Sequence, residues 1–257
     1  MSNTYFQFKQ FTVHQEHSAM KVCTDACLFG AWVANDAPLM NVNKILDIGT
    51  GTGLLSLMLA QAVCNNTNKE SHVQITAVEI EQRAAQEAAN NCKASPWANN
   101  IQVVNNSIQL FRKNIHDGID TKALFECIIS NPPFFESDLL SPNANINLAS
   151  HSTALPWTEL IKEVDALLQP NGNYFVLVPA LRAYTMQKLA EQKGFQLVEE
   201  VMVYNAAKQK PFRAMQKFIK SLAAVNETKR SNFIIKDAEH HYTENFIKLL
   251  APYYLHL

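Results

Sequence analysis

The stretch Lys44-Ile45-Leu46-Asp47-Ile48-Gly49-Thr50-Gly51-Thr52-Gly53 decides the fold class of this chain. Its first half is a short apolar run, as expected of a strand buried on both faces. Its second half is a glycine turn leading directly into an apolar helix expected over Leu54 to Val63. Strand, glycine turn and helix in that order make a nucleotide-type cofactor site. The glycines let the backbone come close to a ligand, and the helix start offers unpaired amides. The spacing here is G-x-G-x-G, with Asp47 two positions before Gly49, whereas the dinucleotide fingerprint is G-x-G-x-x-G. An acid beside the turn suits a cationic ligand group, such as the ammonium of an amino acid, and is an odd neighbour for a pyrophosphate. A nicotinamide-dependent oxidoreductase is disfavoured on both grounds.

Three more strands follow at intervals that leave room for helices. Val73 to Glu79 ends in an acid placed to accept from both hydroxyls of a ribose. After the helix expected over Glu81 to Lys93, broken by Ser95-Pro96, comes Ile101 to Asn105, with Ser107 at its C-terminal edge. Phe125 to Ile129 then delivers Ser130-Asn131-Pro132-Pro133-Phe134-Phe135. In an open α/β sheet, ligands bind outside the carboxyl ends of the strands, so Asp47 with the glycines, Glu79, Ser107 and Asn131 can converge. Pro132 and Pro133 hold their loop stiff and extended. Asn131 and the Pro132 carbonyl could each accept a hydrogen from a planar amino group, with Phe134 stacked on the ring that carries it. Such a corner suits chemistry on the exocyclic nitrogen of a nucleobase. On its own, a Pro-Pro pair reads more simply as a rigid turn with both phenylalanines in the core.

A length of 257 residues suggests one large domain with an elaborated end: an N-terminal extension over 1–43 packing on the cofactor site, and the main domain over 44–257. A hydrophobic content of 47% supports a full core, and a net charge of −1 gives no global attraction to nucleic acid. RNA contact would need a local patch. Lys208, Lys210 and Arg213, interleaved with Pro211 and Phe212, supply one, although a solvated loop is the plainer reading. Five scattered cysteines argue for a reducing compartment and against a disulfide framework. The start opens no signal peptide, and no apolar run reaches the roughly 18 residues of a membrane span, so a cytoplasmic protein is expected. His14, His17, Cys23 and Cys27 crowd together, but their spacing matches no familiar zinc pattern and no metal is expected.

The remaining elements can be placed coarsely. Tyr5 to Val13 alternates aromatic with polar as one strand would, and Ala26 to Ala34 reads as a buried helix capped by Asp25. Glu136 to Ala154 is rich in Asn and Ser and long enough to be a mobile lid. A helix is expected from Trp157 to Leu168, a turn at Pro170-Asn171-Gly172, and a fifth strand over Asn173 to Val178. Ala183 to Lys193 reads as a helix, Phe195 to Tyr204 and Met215 to Ala223 as a strand pair, Phe233 to Ile235 as a last strand, and the tail from Tyr242 as a short helix.

With these residues assembled, the chain resembles the class I S-adenosylmethionine-dependent methyltransferases. It most closely resembles the bacterial tRNA1(Val) adenine-N6-methyltransferase family, which acts on the adenosine 3′ to the anticodon, position 37. The likeness lies in Phe6-Gln7-Phe8-Lys9-Gln10-Phe11, Ala19-Met20-Lys21-Val22, Thr24-Asp25, Leu46-Asp47-Ile48-Gly49, Gly53-Leu54-Leu55, Ser95-Pro96-Trp97-Ala98, Asn131-Pro132-Pro133-Phe134 and Tyr242-Thr243. It implies a Rossmann-like, seven-stranded, mostly parallel sheet with an antiparallel C-terminal strand pair and helices on both faces. It implies S-adenosyl-L-methionine as donor and S-adenosyl-L-homocysteine as product, with the anticodon stem-loop of a tRNA as partner and a monomeric enzyme. Asp47, Gly49, Gly51 and Gly53 would hold the methionine part of the donor, Glu79 its ribose, and Ser107 would lie near its adenine. Lys21, Thr24 and Asp25 would close over the carboxylate end. Asn131, Pro132, Pro133 and Phe134 would hold the target base, with Asn131 also touching the donor as a cofactor-binding residue.

The chain departs from that pattern at three positions. Cys23 stands where the family usually has glycine, and Ser107 where it usually has aspartate, a loss on the order of 1 kcal/mol in donor affinity. Phe134 replaces the commoner tyrosine, as in enzymes that methylate guanine N2 in ribosomal RNA. That activity, and glutamine N5 methylation of protein release factors, are the alternatives. The second normally needs a helical N-terminal domain, for which residues 1–43 are too short.

Overall fold

A computed structural model of the chain describes residues 3–18, 20–36, 39, 42–65, 73–117, 124–133, 155–221, 223 and 227–257. Phe134, and the lid expected over Glu136 to Ala154, lie outside the described residues. The chain begins with a small hairpin of β1 (Tyr5–Gln7) and β2 (Thr12–His14). The single strand expected there is folded back on itself between Phe8 and Phe11, whose amide and carbonyl close the turn at 2.8 Å. Aromatic alternation persists through the turn because Phe8 and Phe11 stack on each other, with centroids 4.5 Å apart.

The main sheet comprises β3 (Lys44–Ile48), β4 (Gln74–Glu79), β5 (Ile101–Asn105), β6 (Phe125–Ser130), β7 (Leu168–Pro179), β8 (Phe195–Ala206), β9 (Arg213–Lys220) and β10 (Lys229–Lys236). Their order across the sheet is β10-β8-β9-β7-β6-β3-β4-β5. The family resemblance implies seven strands; the eighth is β10, at the last strand expected over Phe233 to Ile235, and it pairs parallel with β8 at the edge. Strand β9 alone runs against its neighbours, antiparallel to β7 and to β8. The turn expected at Pro170-Asn171-Gly172 is a bulge inside β7: Phe125 faces Leu168 while Cys127 faces Asn173, and Asn171 takes φ +63°.

Helices α1 (Thr24–Ala34), α2 (Leu54–Asn65), α3 (Gln82–Lys93), α4 (Ile108–Asp117), α5 (Trp157–Leu167), α6 (Ala183–Glu191) and α7 (Glu244–Leu250) cover the two faces. Alternation along the central strands divides the core. Ile45, Cys127, Ile129, Phe175 and Leu177 face the layer built by α1, α2, α7 and the N-terminal hairpin. Leu46, Ile48, Ile128, Tyr174, Val176 and Val178 face the layer built by α4, α5 and α6. Phe8 and Phe11 share the first cluster with Ile45, and Phe8 bridges to Tyr254, so the N-terminal segment and the C-terminal tail close the same layer. The cap of α1 is Cys23, in extended backbone at φ −132°. Asp25, expected to cap the helix, lies instead in its first turn with its carboxylate directed elsewhere. Among the described residues no helix is long and apolar enough to cross a membrane.

Candidate active site

Strand register builds the site. Ile48 lies opposite Val78 on one side and opposite Ser130 on the other. The next residues along, Gly49, Glu79 and Asn131, therefore leave the sheet side by side at one rim, with neighbouring strands about 4.8 Å apart. Ser130 fastens this corner by donating its hydroxyl to the Ile48 carbonyl at 2.9 Å. The strand order reverses here, since β3 carries β6 on one side and β4 on the other, and such a switch point opens a crevice at the carboxyl ends.

The glycine turn is held from below and from one side. Asp47 is 0% exposed and lies beneath it. Thr50 and Ser56 donate their hydroxyls to its Oδ2 at 2.6 and 2.8 Å. Burial pushes its carboxyl up to about 6, against the pull of those two hydroxyls and with a smaller push from Glu79. Glu79 accepts from the Gly51 amide at 2.9 Å and from the Glu81 amide at 3.0 Å, bridging the turn to the loop after β4. Gly49 and Gly51 take φ +73° and +56°, and a Cβ added at either would meet no described atom within 4 Å. Gly53, at φ +83°, packs against α3, where an added Cβ would lie 3.3 Å from Cys92 Sγ. Ser107 caps α4, accepting from the Leu110 amide at 3.2 Å, and is half-buried at the rim.

The other side of the crevice comes from the N-terminal segment, and here sequence reading missed the residues that count. Glu87 on α3, 6% exposed, accepts the backbone amides of Glu16, His17 and Ser18 at 2.6, 2.9 and 3.2 Å. One turn on, Asn91 is 1% exposed. It accepts from the His14 amide at 2.9 Å and donates to the carbonyls of His14 and Thr52 at the same distance. Gln15 closes the loop by accepting from the Val22 amide at 2.8 Å. The strap so formed reaches Asn131, whose Nδ2 lies 3.6 Å from Met20 Sδ. The available signal was polar Glu87 and Asn91, four apart on the face of α3 that otherwise buries Ala84, Ala88 and Cys92. Met20 gave no signal of its own.

Of the remaining expected residues, Lys21 is exposed and Thr24 half-buried beside the strap. Asp25 is 8% exposed and receives Arg213 Nε at 2.7 Å. Arg213 thus points inward, while Lys208 and Lys210 are exposed on the β8–β9 turn. Beside Asp25, burial pushes the Cys23 thiol up to about 12, so it is neutral at physiological pH. Pro132 is buried and Pro133 exposed. The Oδ1 atoms of Asp47 and Asn131 are buried with no hydrogen-bond partner among the described residues. Among those residues, no three of His, Cys, Asp and Glu come together to hold a metal ion.

An unpaired acceptor on Asn131 beside an open glycine cradle, with a buried carboxylate oxygen of Asp47 beneath that cradle, suits a ligand with a cationic end and a substrate with an amino group. Residues 33–206 match the family model described as Methyltransferase small domain. The chain is 36% identical over 255 residues to the tRNA1(Val) (adenine(37)-N6)-methyltransferase of Dyadobacter fermentans, covering 98% of each. It is 37% identical over 257 residues to the protein of the same name from Cytophaga hutchinsonii, covering 100% of each. A solved structure described as a predicted O-methyltransferase from Agrobacterium tumefaciens gives a TM-score of 0.62 at 16% identity, covering 88% of this chain and 95% of that one. The T. thermophilus 16S rRNA N2 G1207 methyltransferase, solved with AdoMet and guanosine, gives 0.52 at 17% identity, covering 84% and 49%. At those identities the two structures speak for the fold alone.

Proposed function

The chain belongs to the methyltransferase small-domain family and groups with the tRNA1(Val) (adenine(37)-N6)-methyltransferases, and from that premise we propose its reaction: methyl transfer from S-adenosylmethionine to N6 of adenosine 37 in tRNA1(Val). The observation that carries this reading is the register that brings Gly49 and Asn131 off adjacent strands abreast, so that donor and acceptor share one rim. The residues suit the donor. The cradle at Gly49 and Gly51 has room where a Cβ would stand, and Asp47 lies under it with one oxygen unspent. Glu79 sits at the edge of the turn, where ribose hydroxyls can replace the Gly51 amide as its partners. Lys21 and the first turn of α1 at Thr24 and Asp25 border the carboxylate end. When bound, S-adenosylmethionine supplies a methyl group on a positively charged sulfur and becomes S-adenosylhomocysteine.

The chain's own contribution is positioning. The N6 lone pair of adenine is delocalised into the ring, which makes it a poor nucleophile. Asn131 Oδ1 and the Pro132 carbonyl accept the two amino hydrogens and so favour the pyramidal nitrogen whose lone pair points at the methyl. Pro132 and Pro133 hold the corner rigid, and Phe134, which lies outside the described residues, is the residue that the family resemblance assigns to stacking on the base. The Gly49–Gly51 turn and Glu79 would hold the donor so that its methyl group is available to N6, Asn131 and the Pro132 carbonyl would keep N6 turned toward it, and the surplus N6 proton would pass to solvent. Holding the reacting atoms in line is worth about 7–11 kcal/mol at best. The base leaves its stack at small cost in an anticodon loop.

Mass spectrometry of tRNA nucleosides tests this. Unmodified tRNA1(Val), incubated with the full chain and S-adenosylmethionine, should gain one N6-methyladenosine in the fragment containing position 37. Methylation of guanine N2, or of a release factor but not of tRNA, would replace the adenine reading and keep the methyltransferase.

A further inference from the structure

Next to the strand end that carries Asn131, β7 runs further out. Ser130 faces Val176, and β7 continues to Pro179 before the 3-10 turn Ala180–Arg182 and helix α6. The β8–β9 turn arrives at the same place, because Pro179 faces Arg213 and the Ala180 amide donates to the Phe212 carbonyl at 3.2 Å. Residues 180–184 and 208–212 therefore form one ledge flanking the Asn131 corner. This ledge shows solvent what a protein ordinarily covers: Leu181 is 96% exposed and Tyr184 68%. Between them, the Arg182 guanidinium lies over the half-buried Trp157 ring, 4.5 Å from its centroid.

The ledge segments themselves carry only basic charge, and the acid that borders them, Glu191, is held by Lys188, whose Nζ lies 5.3 Å from the centroid of the Tyr184 ring. The chain holds 23 acidic residues, yet none falls within 180–190 or 201–226. Arg213, Lys217 and Lys220 are engaged by Asp25, Asp36 and Asp165, and Lys188 by Glu191. Lys208 and Lys210 remain exposed on the turn that leads to Phe212. A second copy of the chain would bring like charges together at this face, whereas a polyanion with flat apolar faces matches both features.

We propose that Leu181, Arg182 and Tyr184, edged by Lys208 and Lys210, form the platform on which the RNA base next to the target adenosine stacks. The proposal rests on the tRNA reading above. Taking one base out of a loop uncovers a face of its neighbour, and an aromatic or apolar side chain recovers that lost stacking. The lysines neutralise the flanking phosphates without reading sequence.

The test uses the full chain and an anticodon stem-loop RNA of tRNA1(Val) with 2-aminopurine beside position 37. In the wild type and in Tyr184→Phe, the probe stays quenched on binding. In Tyr184→Ala it brightens, and RNA affinity falls roughly tenfold. Calorimetry should show unchanged S-adenosylhomocysteine affinity in all three. Lys208→Ala with Lys210→Ala should weaken RNA binding and flatten its salt dependence while leaving the probe quenched at saturation. Wild-type affinity and quenching in Tyr184→Ala would overturn the platform. So would a dimer in sedimentation that Leu181→Ala dissolves, which would make the ledge a contact between copies. A wild-type chain that binds S-adenosylhomocysteine but no RNA would remove the tRNA reading itself.

Discussion

Arg213 at the start of β9 donates Nε to Asp25 Oδ2 in the first turn of α1 at 2.7 Å, joining positions 188 residues apart. Removing the cation leaves a carboxylate whose side chain is 11% exposed without its partner. Breaking a buried pair costs about 3–5 kcal/mol, and because the Arg213 side chain is 24% exposed, the cost for Arg213→Ala should be nearer 2 kcal/mol. Urea unfolding should show that loss, while Lys208→Ala stays within about 0.5 kcal/mol of the wild type. Equal stability of the two variants would mean that the pair holds nothing together.

The strap makes a second prediction. Three consecutive amides, those of Glu16, His17 and Ser18, depend on the single carboxylate of Glu87. Glu87→Ala should cost roughly 1–3 kcal/mol in stability, since unsatisfied amides must find water. It should also weaken S-adenosylhomocysteine binding about tenfold by calorimetry, because the same strap carries Met20 to Asn131 at the crevice. Unchanged donor affinity with lowered stability would make Glu87 a structural residue only.

Protonation of Asp47 should link donor binding to pH. An unpaired carboxyl releases its proton near 3.8, whereas burial holds that of Asp47 to about 6. Between those values the folded chain binds more protons than the unfolded one. Stability from this group therefore falls as pH rises from about 4 to about 6, by on the order of 2–3 kcal/mol, and is level above. A cationic ammonium over the turn favours the carboxylate, so S-adenosylhomocysteine affinity should fall as pH drops below about 6, approaching tenfold per unit. Asp47→Asn should bind more weakly and without that slope. A slope retained in the variant would place the titrating group elsewhere.

Gly51→Ala separates fold from cradle. With φ +56° and no described atom within 4 Å of the added Cβ, the folded chain should lose only about 1–2 kcal/mol to backbone strain. Donor binding should suffer far more, since the methyl group enters the space assigned to the ligand. A thermal melt shifted by a few degrees together with undetectable S-adenosylhomocysteine binding is the expected result, and near-normal binding would move the donor off the turn.

What was legible in the sequence was local. The glycine turn, the acid ending β4 and the Asn-Pro-Pro corner are each written in a few adjacent residues, and parallel strands at similar spacing bring their ends to one rim. Asp25 illustrates what was hidden: its residue type and position suit a helix cap, and only the arrival of β9 beside α1 turns its carboxylate to Arg213. The same pairing removes Arg213 from the exposed lysines it neighbours in sequence. Tyr5 to Val13 read as one strand because aromatic stacking preserves alternation across the turn at Phe8 and Phe11. Glu87 shows in the sequence only as a polar residue on the apolar face of α3; what it anchors does not, because its partners are backbone amides, which leave no trace in side-chain pattern.

Asn131 offers the sharpest separation of chemistry from binding. Its Oδ1 is buried without a partner among the described residues, and its Nδ2 touches only the soft sulfur of Met20 at 3.6 Å in the contacts seen there. Little of the fold therefore depends on the side chain, and Asn131→Ala should melt within a few degrees of the wild type. The donor is assigned mainly to the glycine turn at the end of β3 and to Glu79 beyond it on β4, so S-adenosylhomocysteine affinity should change by no more than about threefold. Methyl transfer is different. Loss of the acceptor releases one amino hydrogen of the base and the orientation of its lone pair, and alignment of the reacting atoms is the main source of rate. Single-turnover methylation at saturating donor and RNA should fall at least about a thousandfold. Asn131→Asp keeps the acceptor but sets a carboxylate beside the rim, and should recover part of the rate. Donor affinity and turnover lost together in Asn131→Ala would show that the residue holds the cofactor and not the base.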